Sequence, residues 1–189
     1  MKKRVLVVIL AAACLVGAYT PSAVWQQPVT VEAAVKKTKK APSINKVYNA
    51  VKNAYGDNYL PNVKMDEKEI KERYGVSSKW YTAAIAEVPM ISTNADTLVI
   101  VKSKDAKSKK KIKSALKKYQ DALIKDTHQY PMNQLKIQAS RIYTKGDYVC
   151  FIMLGNISNK QEEQSEDKVI AAYKKQNQKA VDAIRKLYQ

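Results

Sequence analysis

The chain is poor in the residues that build most catalytic and cofactor sites. Among 189 residues it has two cysteines, one histidine, one phenylalanine and five glycines. A zinc site ordinarily needs three or four His, Cys or carboxylate ligands. His128 has only carboxylates and Cys150 to join it, so no metal is expected. The glycines nowhere take the GxGxxG or Walker spacing that lays backbone N–H groups on phosphates, so no nucleotide or other cofactor is expected either. Nucleophilic catalysis asks for a nucleophile, a base and an orienting group. Ser92 and Ser140 lie outside any nucleophile elbow, and Asp126 with His128 supplies only part of a triad. The expectation is a protein that is not an enzyme.

Acid is scarce as well: 17 Asp and Glu stand against 34 Lys and Arg, a net charge of +17. Such a surface is drawn to polyanions. Long apolar runs are also few. The first, Val5 to Ala18, follows Met1-Lys2-Lys3-Arg4 and is 14 residues long, short of the roughly 20 that span a bilayer. A basic start and a short apolar run are the first two parts of a secretory signal. Val31-Glu32-Ala33-Ala34 then offers small residues for signal peptidase. Residues 1–33 are expected to be a signal peptide cut after Ala33, with Ala34 the next choice. Two other fates stay open. One is an uncleaved anchor. The other is lipidation of Cys14, for which Ala11-Ala12-Ala13 is a poor approach because the −3 residue is not leucine-like. Cleavage leaves a charge of about +15 and Cys150 as the only cysteine, so no intramolecular disulfide can form. Outside the cell the expected partners are anionic wall polymers or the membrane surface, with no nucleic acid.

Residues 34–42 carry four lysines and no apolar period, and read as a basic linker to a single domain over 43–189. The domain is 46% apolar when counted with the rest of the chain, enough for a core. Ser43 and Asp66 are placed to cap helices that end at Gly56 and Gly75. Tyr81 to Val88 and Thr97 to Val101 read as strands able to pair antiparallel, the second apolar on both faces. Residues 105–125 give the clearest helix, with Ile112, Ala115, Leu116, Tyr119, Ala122 and Leu123 on one stripe. Two more strands are expected at about 137–144 and 147–154 around Lys145-Gly146-Asp147, a hairpin signal. A last helix carries Val169, Ile170, Tyr173, Val181, Ile184, Leu187 and Tyr188, interrupted by Asn177. The fold class is α+β: a mainly antiparallel sheet of about four strands with helices packed on one face.

Residues 102–118 hold nine lysines against one acid. From these, Lys107, Lys109, Lys110, Lys111, Lys113 and Lys117 are the candidate polyanion-binding residues. A second candidate site, for a small ligand or substrate, is drawn from polar residues in unusual settings: Asp96 before an apolar strand, His128 and Tyr130 in a polar turn, and Arg141 inside a strand. Asp96 and Arg141 would pair across the sheet or frame a pocket. A structural ion pair or exposed edge charges is the plainer reading of the same two residues.

Val88-Pro89-Met90-Ile91-Ser92-Thr93-Asn94-Ala95-Asp96, with Gln129-Tyr130-Pro131 and Lys136-Ile137-Gln138-Ala139-Ser140-Arg141, resembles the bacterial domain-of-unknown-function family DUF4358. Pro89, Asp96, Tyr130, Pro131, Arg141, Tyr148 and Gly155 carry the likeness, over residues 65–188. The resemblance implies an exported protein or lipoprotein of a Gram-positive bacterium and supplies no activity. The readings of function are a noncatalytic module at the cell surface, as its rival a ligand-binding protein or enzyme using the second candidate site, and as a third an assembly subunit pairing through an exposed strand edge.

Overall fold

Ser43 caps the first helix. Its hydroxyl accepts from the Lys46 N–H at 3.3 Å, and α1 runs Ile44–Tyr55 to Gly56. The computed structural model describes residues 41–189 apart from residue 92. The expected signal peptide, Cys14, residues 34–40 of the linker and Ser92 lie outside the described residues. After β1 (Val63–Lys64) comes α2 (Glu67–Tyr74), closed at its start by a capping box between Asp66 and Glu69. Gly75 ends it at φ 68°, the left-handed conformation that a side chain disfavours.

The strands follow as β2 (Tyr81–Val88), β3 (Thr97–Ser103), β4 (Arg141–Lys145) and β5 (Tyr148–Met153). Between β3 and β4 lie α3 (Ala106–Lys125) and α4 (Pro131–Gln138); α5 (Asn159–Glu162) and α6 (Glu166–Lys186) complete the chain. All pairs are antiparallel, in the order β1-β2-β3-β5-β4. The α+β class and the antiparallel sheet are as expected. A fifth strand, β1, goes beyond the four or so expected, because two residues carry no period to read.

The helices cover both faces of the sheet, not one. Side chains alternate along a strand, so β3 and β5 each serve two cores. Leu98, Ile100, Cys150 and Ile152 pack under α1 and α6 with Val47, Val51, Val181 and Ile184. Val99, Val101, Val149 and Phe151 face α2, α3 and α4 with Ile70, Ile112, Leu116 and Ile137. Two strands without a polar face require cover on each side, which is the physical reason the one-layer expectation fails. Glu87, a buried carboxylate, accepts hydrogen bonds from Tyr48 at 3.0 Å and Tyr59 at 2.8 Å. Burial and that carboxylate push the Tyr48 hydroxyl up to about 12.

The strand expected at 137–144 begins only at Arg141, because residues 131–138 form α4. Pro131 stands at the first turn of that helix, where its missing N–H costs nothing. Cys150 is fully buried in the central strand, and burial pushes its thiol up to about 12. It is a core residue, not a nucleophile at neutral pH.

Candidate functional site

β2 and β3 are joined through residues 89–96 at the end of the sheet where α3 finishes and α4 begins. Asn133 on α4 donates to the Thr93 carbonyl at 2.9 Å, and the Met90 N–H donates to Asn62 at 2.8 Å, so this connection is held from both sides. It delivers Asp96, fully buried, to the ammonium of Lys136 on α4, which is itself 5% exposed. The other carboxylate oxygen accepts from the Gly155 N–H at 3.2 Å. Asn156 Oδ1 stands 3.5 Å from the ammonium, which also lies 5.5 Å from the Tyr173 ring centre. Gly155 takes φ 88°, and a Cβ there would stand 3.0 Å from both Tyr55 and Gln176. A glycine is needed at that point for the backbone to reach Asp96.

Asp96 therefore does have an ion-pair partner, but it is Lys136 and not Arg141. Arg141 pairs in register with Ile152 in the row that faces α6, and its guanidinium donates to Gln178 at 2.5 Å. His128 is almost wholly exposed, 3.2 Å from the Asp126 carboxylate that also accepts its backbone N–H at 3.0 Å. Hydrogen bonds from Gln129 and then from His128 hold the Asp126 carboxyl below its usual range. Tyr130 is exposed, and Ser140 accepts from Gln120 at 2.9 Å. The four residues expected to form a ligand site do not converge. Asp96 is used in the core, His128 and Tyr130 face solvent, and Arg141 belongs to the opposite layer.

Two concave regions meet beside α3. One, of about 650 Å³, lies between α2 and α3 over Trp80, Gly75 and Ala115, with Arg73, Lys111 and Lys118 among its lining residues. The other, of about 300 Å³, continues toward Pro89, Asn94, Gln129 and Asn133. Arg73 and Tyr119 line both. Lys111 sits 5.6 Å from the Trp80 ring centre, and Tyr119 stacks edge-on against Tyr74 with ring centres 4.7 Å apart. The Tyr74 hydroxyl is buried without a hydrogen-bond partner among the described residues. Sequence reasoning missed Arg73, Trp80 and Lys118. The signal was there only in part: Tyr119 lies on the apolar stripe of α3, and Lys111 and Lys118 flank that stripe.

On α3 itself, Asp105 caps the start through the Ser108 N–H at 2.6 Å, and that bond chiefly holds its carboxyl below the usual range. Lys107, Lys110, Lys111, Lys113 and Lys117 are exposed. Lys109 is half-buried and donates to the Gly146 carbonyl at 2.5 Å, and Lys117 pairs with Asp121 one turn on. Two of the six candidate lysines are thus partly engaged within the domain. Among the described residues no cluster of three or more His, Cys, Asp or Glu is placed to hold a metal, and no helix is long and apolar enough to cross a membrane.

Comparison with known proteins gives a family and nothing nearer. The model of a domain of unknown function, DUF4358, matches residues 54–154, just over half of the chain. The match starts earlier than the resemblance expected over 65–188 and stops before α5 and α6. No curated protein and no solved structure matches the chain. The chain belongs to the DUF4358 family.

Proposed function

We propose that this member of the family is an exported, noncatalytic module that holds an anionic polymer of the cell surface. The observation that carries the reading is the lysine-dense α3, on which Lys111 and Lys118 are exposed and have no carboxylate partner among the described residues. Like charges kept close on one helix repel one another, and an anion laid across them relieves that repulsion. The apolar start and the small residues before Ala34 support export. The chain recovered from a secreting host should have the mass of residues 34–189; retention of residue 1, or a lipid mass on Cys14, would replace release with anchoring.

Binding is expected to be electrostatic. Exposed charges are screened within about 10 Å at 0.1 M salt and about 3 Å at 1 M. The recovered chain should cosediment with purified Gram-positive cell walls at low salt and be released as salt approaches about 1 M. A parallel arm with anionic lipid vesicles tells wall polymer from headgroups. Failure to sediment with either at low salt sinks the proposal.

A further inference from the structure

We infer that the polymer is a linear anionic glycan, and that it lies in the trough between α2 and α3 instead of across the outer lysines of α3. This deepens the proposed function and rests on it. The lining residues Lys111, Ser114, Ala115, Lys118, Ala122 and Leu123 recur at three- and four-residue steps, so they form one face of α3. Lys111 to Leu123 covers about 18 Å at 1.5 Å per residue, long enough for several units of an extended chain and longer than one small ligand needs. Ser114, Ala115, Ala122 and Gly75 keep the floor low: even a Cβ at Gly75 would touch only the Ala115 Cβ, at 3.8 Å.

The trough has one sign of charge. Arg73, Lys111 and Lys118 line it, and the one lining carboxylate, Asp96, is already paired with Lys136. Its walls also carry aromatic rings at set places. Trp80 lies at one end and Tyr119 at the middle, where Arg73 stands over Tyr74 at 6.0 Å. Lys111 to Lys118 is two helical turns, about 10.5 Å, with the floor of small residues between them. A polymer whose fixed charges are separated by uncharged rings matches that alternation: its acidic groups meet the cations, and a ring face lies on Trp80. Outer lysines offer charge alone and no surface on which a ring can rest.

The test compares two variants of equal charge change in the recovered chain, where Trp80 is the only tryptophan once Trp25 is removed (Trp25→Phe serves where residue 25 is retained). One is Arg73→Ala/Lys111→Ala/Lys118→Ala and the other Lys107→Ala/Lys110→Ala/Lys113→Ala. Circular dichroism first establishes that both are folded; Arg73→Gln/Lys111→Gln/Lys118→Gln stands in if the alanine form is not. A hyaluronate hexamer, in which each uronate is followed by an uncharged N-acetylglucosamine, is titrated while Trp80 fluorescence is followed. The expected result is a fluorescence change on binding, at least a tenfold loss of affinity in the trough variant, and less than a threefold loss in the outer variant. Equal losses overturn the trough while leaving a polyanion-binding surface standing. Wall binding by the wild-type chain with no response to the hexamer overturns the glycan. Tighter binding of oligothymidylate with the same fluorescence change would assign the trough to single-stranded nucleic acid, where bases stack and phosphates pair in the same manner.

Discussion

Lys136→Met is expected to cost the domain about 3–5 kcal/mol, the usual penalty for removing one partner of a buried ion pair. The substitution keeps the length and the apolar stem of the side chain, so little packing is lost. What it removes is the ammonium that faces Asp96, a carboxylate with no exposed surface. The carboxylate then keeps only the Gly155 N–H. Asp96→Asn should cost less, because the ammonium retains Asn156, the Tyr173 ring and the amide oxygen of the new side chain. The double variant should recover part of the loss, since neither charge is left unmatched. Urea unfolding monitored by circular dichroism reads all three. A Lys136→Met midpoint equal to wild type would mean that the pair is hydrated in solution and is not the anchor for the 89–96 connection.

Asn177→Leu should be the second large effect. Asn177 is buried in α6, yet both ends of its amide are used across the fold: Oδ1 accepts from the Leu154 N–H at 2.8 Å, and Nδ2 donates to the Ala139 carbonyl at 2.8 Å. Those backbone groups belong to the ends of β5 and α4, where no strand or helix partner takes them. Leucine fills the space and leaves both unsatisfied. At about 1–3 kcal/mol for each of the two buried groups left without a partner, the loss should be about 2–6 kcal/mol. Hydrogen exchange separates this from a packing defect. The Leu154 amide should lose its protection first while the core amides of β3 stay slow. An unchanged Leu154 amide would place the effect elsewhere.

Asn177 also shows how far the sequence could be read. Its interruption of an apolar stripe predicts a side-chain hydrogen bond, and the structure supplies two. The partners, 23 and 38 residues away, carry no mark in the sequence. The same division runs through the fold. α1, α2 and α3 have caps and apolar periods within a single turn or two, so Ser43, Asp66 and Gly75 announce them. α4 has eight residues and one proline at its start, too short for a period to outweigh the apolar Ile137 and Ile142 that suggest a strand. A strand at 137–144 offers Arg141 as the cation for Asp96, and nothing in the sequence marks Lys136 of α4 as the partner the structure gives it. The polyanion-binding lysines were legible as a cluster because charge density needs no tertiary knowledge. The trough was not, since Arg73 and Trp80 come to α3 from segments about 30 residues earlier in the chain, and only packing brings them there.

The two helices that cover one side of the sheet come from opposite ends of the described chain. α1 lies at its start and α6 at its finish, linked by the Tyr55 hydroxyl donating to the Gln176 carbonyl at 2.8 Å. Until Val181 and Ile184 are in place, Leu98, Ile100, Cys150 and Ile152 have only half their cover. A fragment trimmed to residues 54–154 would therefore expose an apolar sheet face and should aggregate. The same geometry sets the order of events during synthesis. α6 follows every strand in the chain, so during synthesis this apolar face of the sheet stays half covered until α6 has been made.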